Sequence, residues 1–151
     1  MTRSLLAGFG CVLVVRTLSA QTAPAAYLSD AEVLAQLQLA AKASPEMMVA
    51  RMVNTESHRV NVVKRTVPQG ANAHDVGTEV HYIIEGTATL VTGGTIVRPA
   101  AGTPAALASI RGGETRTVRK GDIVLVPVNT PHWYSRIDQP LTYLEVRFDV
   151  K

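Results

Sequence analysis

The chain has 151 residues, which is enough for one domain with a short extension. Hydrophobic residues make up 46% of it and charged residues 18%, so the composition excludes a disordered chain. The formal charge is +3, but Arg3 and Arg16 lie in the first twenty residues, and the remaining body carries only +1. Such a body is a poor nucleic-acid binder by bulk electrostatics. Cys11, the single cysteine, also lies in the first twenty residues, so the body has no disulfide, Cys-based zinc site or Cys nucleophile.

The first twenty residues have the layout of a secretory signal peptide. Arg3 precedes an apolar run from Leu5 to Val15, and Ala20 offers a small residue for cleavage. We therefore predict that residues 1–20 are removed on export and that the mature protein is periplasmic or secreted. A second cleavage site follows Ala25, and a buried N-terminal helix or strand is the alternative to export. No later stretch of 18 or more apolar residues occurs, so no stable membrane span is expected after signal removal.

A helix is predicted after a linker of small residues. Ser29 and Glu32 have the spacing of a capping box, and apolar residues recur at helical spacing behind them. This pattern predicts a helix over about residues 30–42, which Ser44-Pro45 ends. Residues 21–54 are thus expected to hold the linker, this helix and a first strand, without chemistry of their own.

From about residue 47 onward, the pattern changes to short strands separated by turn residues such as Gly93-Gly94 and Lys120-Gly121. Gly86 is expected to end a strand, and residues 98–113 are expected to form a surface loop because they are rich in Pro, Ala and Gly. Many short strands at regular spacing predict an antiparallel sandwich or small barrel. The predicted strands are Met47–Val53, Ser57–Val67, Val80–Glu85, Thr87–Val91, Thr95–Val97, Thr115–Val118, Ile123–Val126, His132–Ile137 and Leu141–Phe148.

Two of the four histidines stand in spaced motifs. In the first motif, His74 is followed by Glu79 and then by Gly86. The second motif is residues 121–132 (GDIVLVPVNTPH), in which Gly, Pro and the closing His are the spaced positions. Together the two motifs resemble those of the cupin family, and the resemblance covers residues 55–148. It implies an all-β, antiparallel double-stranded β-helix, or jelly-roll barrel, preceded by the N-terminal α-helix.

The resemblance also implies a metal site and a partner. The ligands it implies are His74, Glu79 and His132. Two imidazoles and one carboxylate suit a divalent transition metal (Fe, Mn, Ni, Zn or Cu) with open coordination positions. Asn72 stands where the family has its first histidine and offers only an amide oxygen, so the usual fourth ligand is lost or weakened. A homodimer is expected, because small members of the family commonly pair their outer strands.

Further polar candidates follow from strand alternation. His81 lies two residues past Glu79, so both side chains share one face of a strand. It is a candidate fourth ligand, a hydrogen-bond partner of a ligand, or a general base. Tyr134 shares a face with His132 and is a candidate hydroxyl donor to a substrate. His58 lies in an earlier strand and could face either side.

The last predicted strand carries three polar residues on one face, namely Tyr143, Glu145 and Arg147. Arg136 and Arg147 are candidates for pairing with a substrate carboxylate, although surface ion pairs are the simpler expectation for both. Ile83 and Leu125 are predicted to line the barrel.

One departure from the second motif leaves its turn intact. Asn129 stands where the family has glycine. Because both residue types tolerate a positive φ angle, the turn can be kept.

Three classes of function remain open. The first is a metal-dependent oxidoreductase (dioxygenase), isomerase or lyase acting on a small organic molecule, in which the metal polarises a substrate oxygen or activates O₂. His81 and Tyr134 would then move protons. The second is a non-catalytic barrel that binds or senses a small molecule or metal, which Asn72 favours. The third is a metal-free structural barrel that dimerises. The substrate does not follow from the sequence, because fold does not fix function.

Overall fold

The structure is a computed structural model that describes residues 24–100 and 107–149. Within them lie one helix and eight strands, so the predicted all-β class with one N-terminal helix is confirmed. The predicted signal peptide lies outside the described residues. The elements are α1 (Asp30–Ala41), β1 (Met47–Asn54), β2 (His58–Arg65), β3 (Thr78–Thr92), β4 (Thr95–Val97), β5 (Ser109–Arg111), β6 (Glu114–Arg119), β7 (Ile123–Val126) and β8 (His132–Phe148).

The main sheet is antiparallel and runs in the order β1-β2-β8-β3-β6, with β7 also paired to β3. Strand β3 pairs with β7 through its first half, from Glu79 to Tyr82, and with β6 through its second half, from Thr87 to Thr92. It therefore passes from one side of the barrel to the other. Strand β8 follows β3 along both halves, with several register shifts near the middle. These two long strands frame the interior.

Gly86 lies at the middle of β3 and does not end the strand, so that prediction is wrong. Its φ angle is +90°, and its neighbours shift register against β8. A Cβ atom at this position would overlap the carbonyl group of Pro140 and lie 2.9 Å from the Cα of Leu141. Glycine is therefore required here because two backbones cross closely at the bend, rather than because the strand stops.

The segment predicted as a single loop, residues 98–113, also contains structure. Ser109–Arg111 forms β5, which pairs with β4 in a separate two-stranded sheet. Residues 101–106 lie outside the described residues. The short strand was missed because its three residues carry too little alternation to stand out from the surrounding Pro, Ala and Gly.

Helix α1 begins at the predicted capping box and packs on the outer face of β1. The backbone N–H of Ser29 donates to Glu32 Oε2 at 2.7 Å, and the Glu32 N–H donates to Ser29 Oγ at 3.3 Å. Leu37 is buried against Met48 and Ala50, so the helix closes one side of the sheet. Among the described residues, no helix has both the length and the apolar character needed to cross a membrane.

The barrel core is formed by side chains from strands of the main sheet. Ile83 is fully buried, as predicted, but Leu125 is 61% exposed, so its predicted place inside the barrel is wrong. In β7 the residue that is buried is Val126, which pairs with Glu79, and alternation therefore directs Leu125 outward. The core cluster consists of Val63, Ile83, Ala88, Leu90, Val118, Tyr134, Leu141 and Tyr143.

Candidate metal centre

Polar side chains fill one end of the barrel interior. Glu79 and His81 alternate with outward residues on β3, and strand pairing places them opposite Arg147 and Glu145 of β8. His132 is the first residue of β8 and forms an isolated β-bridge with Asn72. The loop before β3 therefore runs alongside the start of β8. This pairing fixes where the loop enters the barrel.

The structure brings His74, Glu79 and His132 together. Each offers one ligand atom, and these atoms all lie within 4.8 Å of one another. His74 Nε2 lies 3.3 Å from Glu79 Oε1, and His132 Nε2 lies 3.5 Å from Glu79 Oε2. The three residues come from a loop and two strands, and 58 positions separate the first from the last. The carboxylate thus sits between two imidazoles.

Both imidazoles of this group are held in a form that can bind a metal. Burial lowers the pKa of His74 and His132, and this effect outweighs the attraction of Glu79, so both rings are neutral near pH 7. His132 Nδ1 donates to the carbonyl oxygen of Thr130 at 3.0 Å, because a carbonyl can only accept. The lone pair of His132 is therefore on Nε2, the atom that faces Glu79.

The turn that carries His132 into the site has the predicted geometry. Asn129 is the one non-glycine residue with a positive φ angle among the described residues, at 61°. Its backbone N–H donates to the carbonyl oxygen of His74 at 2.7 Å. The asparagine in place of the family's glycine therefore keeps the turn and also ties it to the loop that holds the other histidine.

Glu79 is the centre of the charge network. Burial acts to raise the pKa of Glu79, but the polar contact with His81 and the attraction of the three nearby histidines lower it to about 2. Arg147 Nη2 lies 2.9 Å from Glu79 Oε1, and the side chain of Arg147 is only 12% exposed. The expected surface ion pair of Arg147 is therefore a buried one inside the site. Arg136 does form the expected exposed pair, with Asp138 at 2.8 Å.

His81 lies beside the three candidate metal ligands, His74, Glu79 and His132, which are called the donor group below. Its side chain connects this group to Tyr134. His81 Nδ1 and the Tyr134 hydroxyl are 2.9 Å apart, and both side chains are buried. His81 Nε2 lies 3.3 Å from Glu79 Oε2 but has no aligned hydrogen-bond partner among the described residues. Burial raises the pKa of Tyr134 well above its usual value, so the phenol keeps its proton. His81 thus forms a polar link between a phenol and the carboxylate.

Asn72 and His58 are both exposed, unlike the buried Glu79 and His81. The side chain of Asn72 is on the exposed side, and its Oδ1 accepts a hydrogen bond from the backbone N–H of Ala73 at 2.9 Å. Its role as a fourth ligand stays a prediction. His58 is exposed, and its Nδ1 lies 3.1 Å from the hydroxyls of Thr55 and Ser57. It is not in the donor group.

A cavity of about 290 Å³ opens onto the donor group. Arg65 lies on its wall and donates from Nε to the hydroxyl of Tyr143 at 3.0 Å. Burial raises the pKa of Tyr143 to about 12, against the lowering effect of Arg65. Neither Arg65 nor Arg59, which also lines the cavity, is among the predicted site residues. Both share the face of β2 that carries buried Val63 and Asn61, so alternation around those residues is the signal that could have found them.

Known proteins resemble this chain in fold only. No family model matches it, and no curated protein matches it. The iron(II) form of HppE matches with a TM-score of 0.52 and 16% identity, over 68% of this chain and 50% of HppE. KdgF from Halomonas sp. matches with a TM-score of 0.51 and 14% identity, over 72% of this chain and 84% of KdgF.

A third match, at a TM-score of 0.49 and 21% identity, is a cupin-family protein from Methanocaldococcus jannaschii with a double-stranded β-helix fold. The match covers 68% of this chain and 80% of the M. jannaschii protein. HppE and KdgF are cupin-fold proteins, and this chain spans half the length of HppE. The fold of this chain is therefore cupin-like, and the predicted resemblance is confirmed for the fold.

Proposed function

We propose that this chain is a metal-dependent enzyme that acts on a small organic molecule inside the barrel. The observation that carries the proposal is the donor group of His74, Glu79 and His132. Two donors that bind one divalent ion at about 2.1 Å, about 90–110° apart, are separated by about 3.0–3.4 Å. The Glu79 oxygens lie 3.3 Å and 3.5 Å from the two imidazole nitrogens, at or just beyond the upper end of this range, so the carboxylate and each imidazole are close to the spacing that a shared ion requires.

The donor types narrow the metal to a class. Two imidazoles and one carboxylate suit Fe, Mn, Ni, Zn or Cu and leave positions free for a substrate. When bound, such an ion supplies a Lewis acid for a substrate oxygen or a binding site for O₂. HppE, a protein of the same fold, has been solved with iron(II), and with cobalt(II) and a substrate. Those structures support a divalent metal in a protein of this fold.

The chain's own residues hold and move a proton next to the metal group. When the Tyr134 hydroxyl donates a hydrogen bond to His81 Nδ1, the imidazole proton is on Nε2 and faces Glu79 Oε2, 3.3 Å away. Arg147 holds the other carboxylate oxygen and so orients it. The phenol can take a proton from the substrate at Oη as its own proton passes to His81 Nδ1, and the reverse transfer gives a proton back to the substrate. This favours an isomerase or lyase reaction, in which protons are moved on the substrate.

The open coordination positions favour a second candidate, a dioxygenase, because two histidines and a carboxylate also form the ligand set of non-haem iron oxygenases. Oxygen consumption by the iron-loaded protein in the presence of a substrate separates this candidate from the isomerase or lyase. A barrel that binds a small molecule or a metal without turnover is the non-catalytic alternative. In that case the protein binds metal but changes no compound in a substrate screen.

A cobalt(II) titration tests the donor group. The metal-free protein is expected to bind one Co²⁺ per chain, followed by its visible absorption, and His74→Ala is expected to weaken binding at least tenfold. The matched control is His58→Ala, which removes an exposed imidazole outside the donor group and is expected to bind as the wild type does. Equal binding by both variants would refute the assignment of His74.

The outer face of β3 and β7 supports a homodimer. It exposes Tyr82 and Ile84 of β3, together with Ile123 and Leu125 of β7. Neighbouring apolar side chains on a sheet surface are typical of protein contacts, and Tyr82 pairs with Ile123 across the strands. Sedimentation is expected to give a dimer for the wild type and a monomer for Leu125→Glu. A monomeric wild type would contradict this proposal.

The proposal that the protein is exported depends on the first twenty residues alone. Arg3, the apolar run and Ala20 support cleavage and release to the periplasm or the medium. The N-terminal sequence of protein recovered from the producing cell is expected to begin near Gln21 or after Ala25. A protein that keeps Met1 in the cytoplasmic fraction would overturn export.

A further inference from the structure

Arg65 is held in place on the cavity wall by two tyrosines. Its Nε donates to the Tyr143 hydroxyl at 3.0 Å, and its Cζ lies 5.7 Å and 5.9 Å from the ring centres of Tyr134 and Tyr143. A guanidinium over aromatic rings is restrained by cation–π attraction. The half-buried side chain therefore has a defined position before any ligand arrives, which lowers the entropy lost on binding.

The guanidinium of Arg65 has no acidic partner within the parts of the chain that the structure describes. No carboxylate of residues 24–100 or 107–149 lies within 4.0 Å of it, and its Nε bond to Tyr143 is the one side-chain hydrogen bond it makes there. The three other charged residues deep in the site are already engaged. Arg147 pairs with Glu79, and Glu145 accepts from Asn61 Nδ2 at 2.9 Å. Two arginines of the cavity wall, Arg59 and Arg65, have no ion pair among the described residues, and Arg65 is the half-buried one that the tyrosines hold in place.

The charge of the whole lining points to an anion. Three arginines against two glutamates leave one net positive charge on the cavity wall. Arg59 lies directly opposite Arg147 in the β2–β8 pairing, and like charges in that arrangement repel. A divalent metal at Glu79 would add further positive charge, so a cleft of one sign would concentrate anions.

We propose that the ligand of this barrel is a small organic acid whose carboxylate binds the guanidinium of Arg65. This inference rests on the proposed function and names its substrate class. The planar fork of arginine matches a carboxylate with two parallel hydrogen bonds, and Arg65 retains the terminal nitrogens for them. The cavity of about 290 Å³ is at the small end for ligand sites, which suits a compact acid. The acid reaches from Arg65 past Tyr134 toward the donor group.

Calorimetric titration with malonate tests the proposal, using malonamide as a neutral probe of similar size and inorganic phosphate as a second anion. Each is titrated into metal-free and cobalt-loaded protein, with the bound metal measured in every sample. The variants are Arg65→Met and Arg65→Lys. The matched control, Arg136→Met, removes one positive charge from the surface, where Arg136 pairs with Asp138. Thermal unfolding of each variant verifies that it is folded.

Malonate is expected to bind the wild type and Arg136→Met alike and to bind Arg65→Met at least tenfold more weakly. The malonate affinity of Arg65→Lys is expected to lie between those of the wild type and Arg65→Met, because lysine keeps the positive charge but cannot form the two parallel hydrogen bonds of a guanidinium. Metal retained by Arg65→Met while malonate binding is lost would support both the inference and the metal site. Malonate binding that depends on Arg65 in a protein that takes up no metal would sink the proposed function and leave the inference standing.

Three results would overturn the inference alone. One is equal malonate affinity in the wild type and Arg65→Met with metal bound in both. Another is malonamide binding as tightly as malonate. The third is no malonate binding by any sample, whether or not phosphate binds.

Discussion

Replacing Glu79 with Gln is expected to lower the free energy of unfolding by about 3–5 kcal/mol in the metal-free protein. The change removes the negative charge that faces Arg147 at 2.9 Å, and both side chains are almost fully buried, at 5% and 12% exposed. Arg147 would keep its charge with no counter-ion, and Gln cannot replace the attraction of a carboxylate. Urea unfolding in the presence of a chelator measures the loss.

The exposed pair of Arg136 and Asp138 is the matched control for this prediction. Asp138→Asn breaks an ion pair of similar length, 2.8 Å, on the surface, and is expected to cost less than about 1 kcal/mol. The double variant Glu79→Gln with Arg147→Met is expected to recover part of the loss, because the unpaired guanidinium is gone. A loss for Glu79→Gln no larger than that for Asp138→Asn would show that the buried pair does not stabilise the fold.

Gly86→Ala is expected to lower the free energy of unfolding by about 3 kcal/mol or more, or to prevent folding. The added Cβ would overlap the carbonyl of Pro140, and the φ angle of +90° is one that alanine rarely adopts. Neither strand can move aside, since β3 and β8 are hydrogen-bonded on both sides of this point. Circular dichroism during urea unfolding measures the effect.

Gly93→Ala separates the close approach from the backbone angle. Gly93 also has a positive φ angle, +73°, but apart from its chain neighbours no atom of residues 24–100 and 107–149 lies within 4 Å of the place where its Cβ would be. Alanine there carries only the conformational strain of about 1–2 kcal/mol. Equal losses for the two variants would mean that the crossing of β3 and β8 at Gly86 is looser than the structure has it.

The local pattern of residues along one strand was sufficient to predict part of the site. Glu79 and His81 are two residues apart on a strand, so alternation alone predicts that they share a face, and the structure places both inside the barrel. The capping box of Ser29 and Glu32 is equally local and begins the helix as expected. His74 and His132 are remote from each other, and only their place in two recognisable motifs suggested that they meet.

The remaining contacts of the site depend on how distant strands are aligned with each other. Arg147 reaches Glu79 because the two residues lie opposite each other in the pairing of β3 with β8. The residue pattern of a single strand does not contain this alignment. The bond between His81 and Tyr134, 53 residues apart, depends on the same pairing. Four apolar residues in a row, Ile123–Val126, carry no alternation, so the sequence does not show that Leu125 faces outward. A glycine at a close crossing and one at a turn look alike in sequence, so the pattern around Gly86 predicts a strand end that the structure does not have.

Elemental analysis of residues 21–151, purified without a chelator or a histidine tag, tests the metal centre directly when it is done beside the His132→Ala variant. We expect about one transition-metal ion per chain in the wild-type protein and a stoichiometry close to zero in the variant, with both proteins folded. No metal in either protein, even after incubation with Fe, Mn, Ni, Zn and Cu salts, would contradict a metal centre at His74, Glu79 and His132.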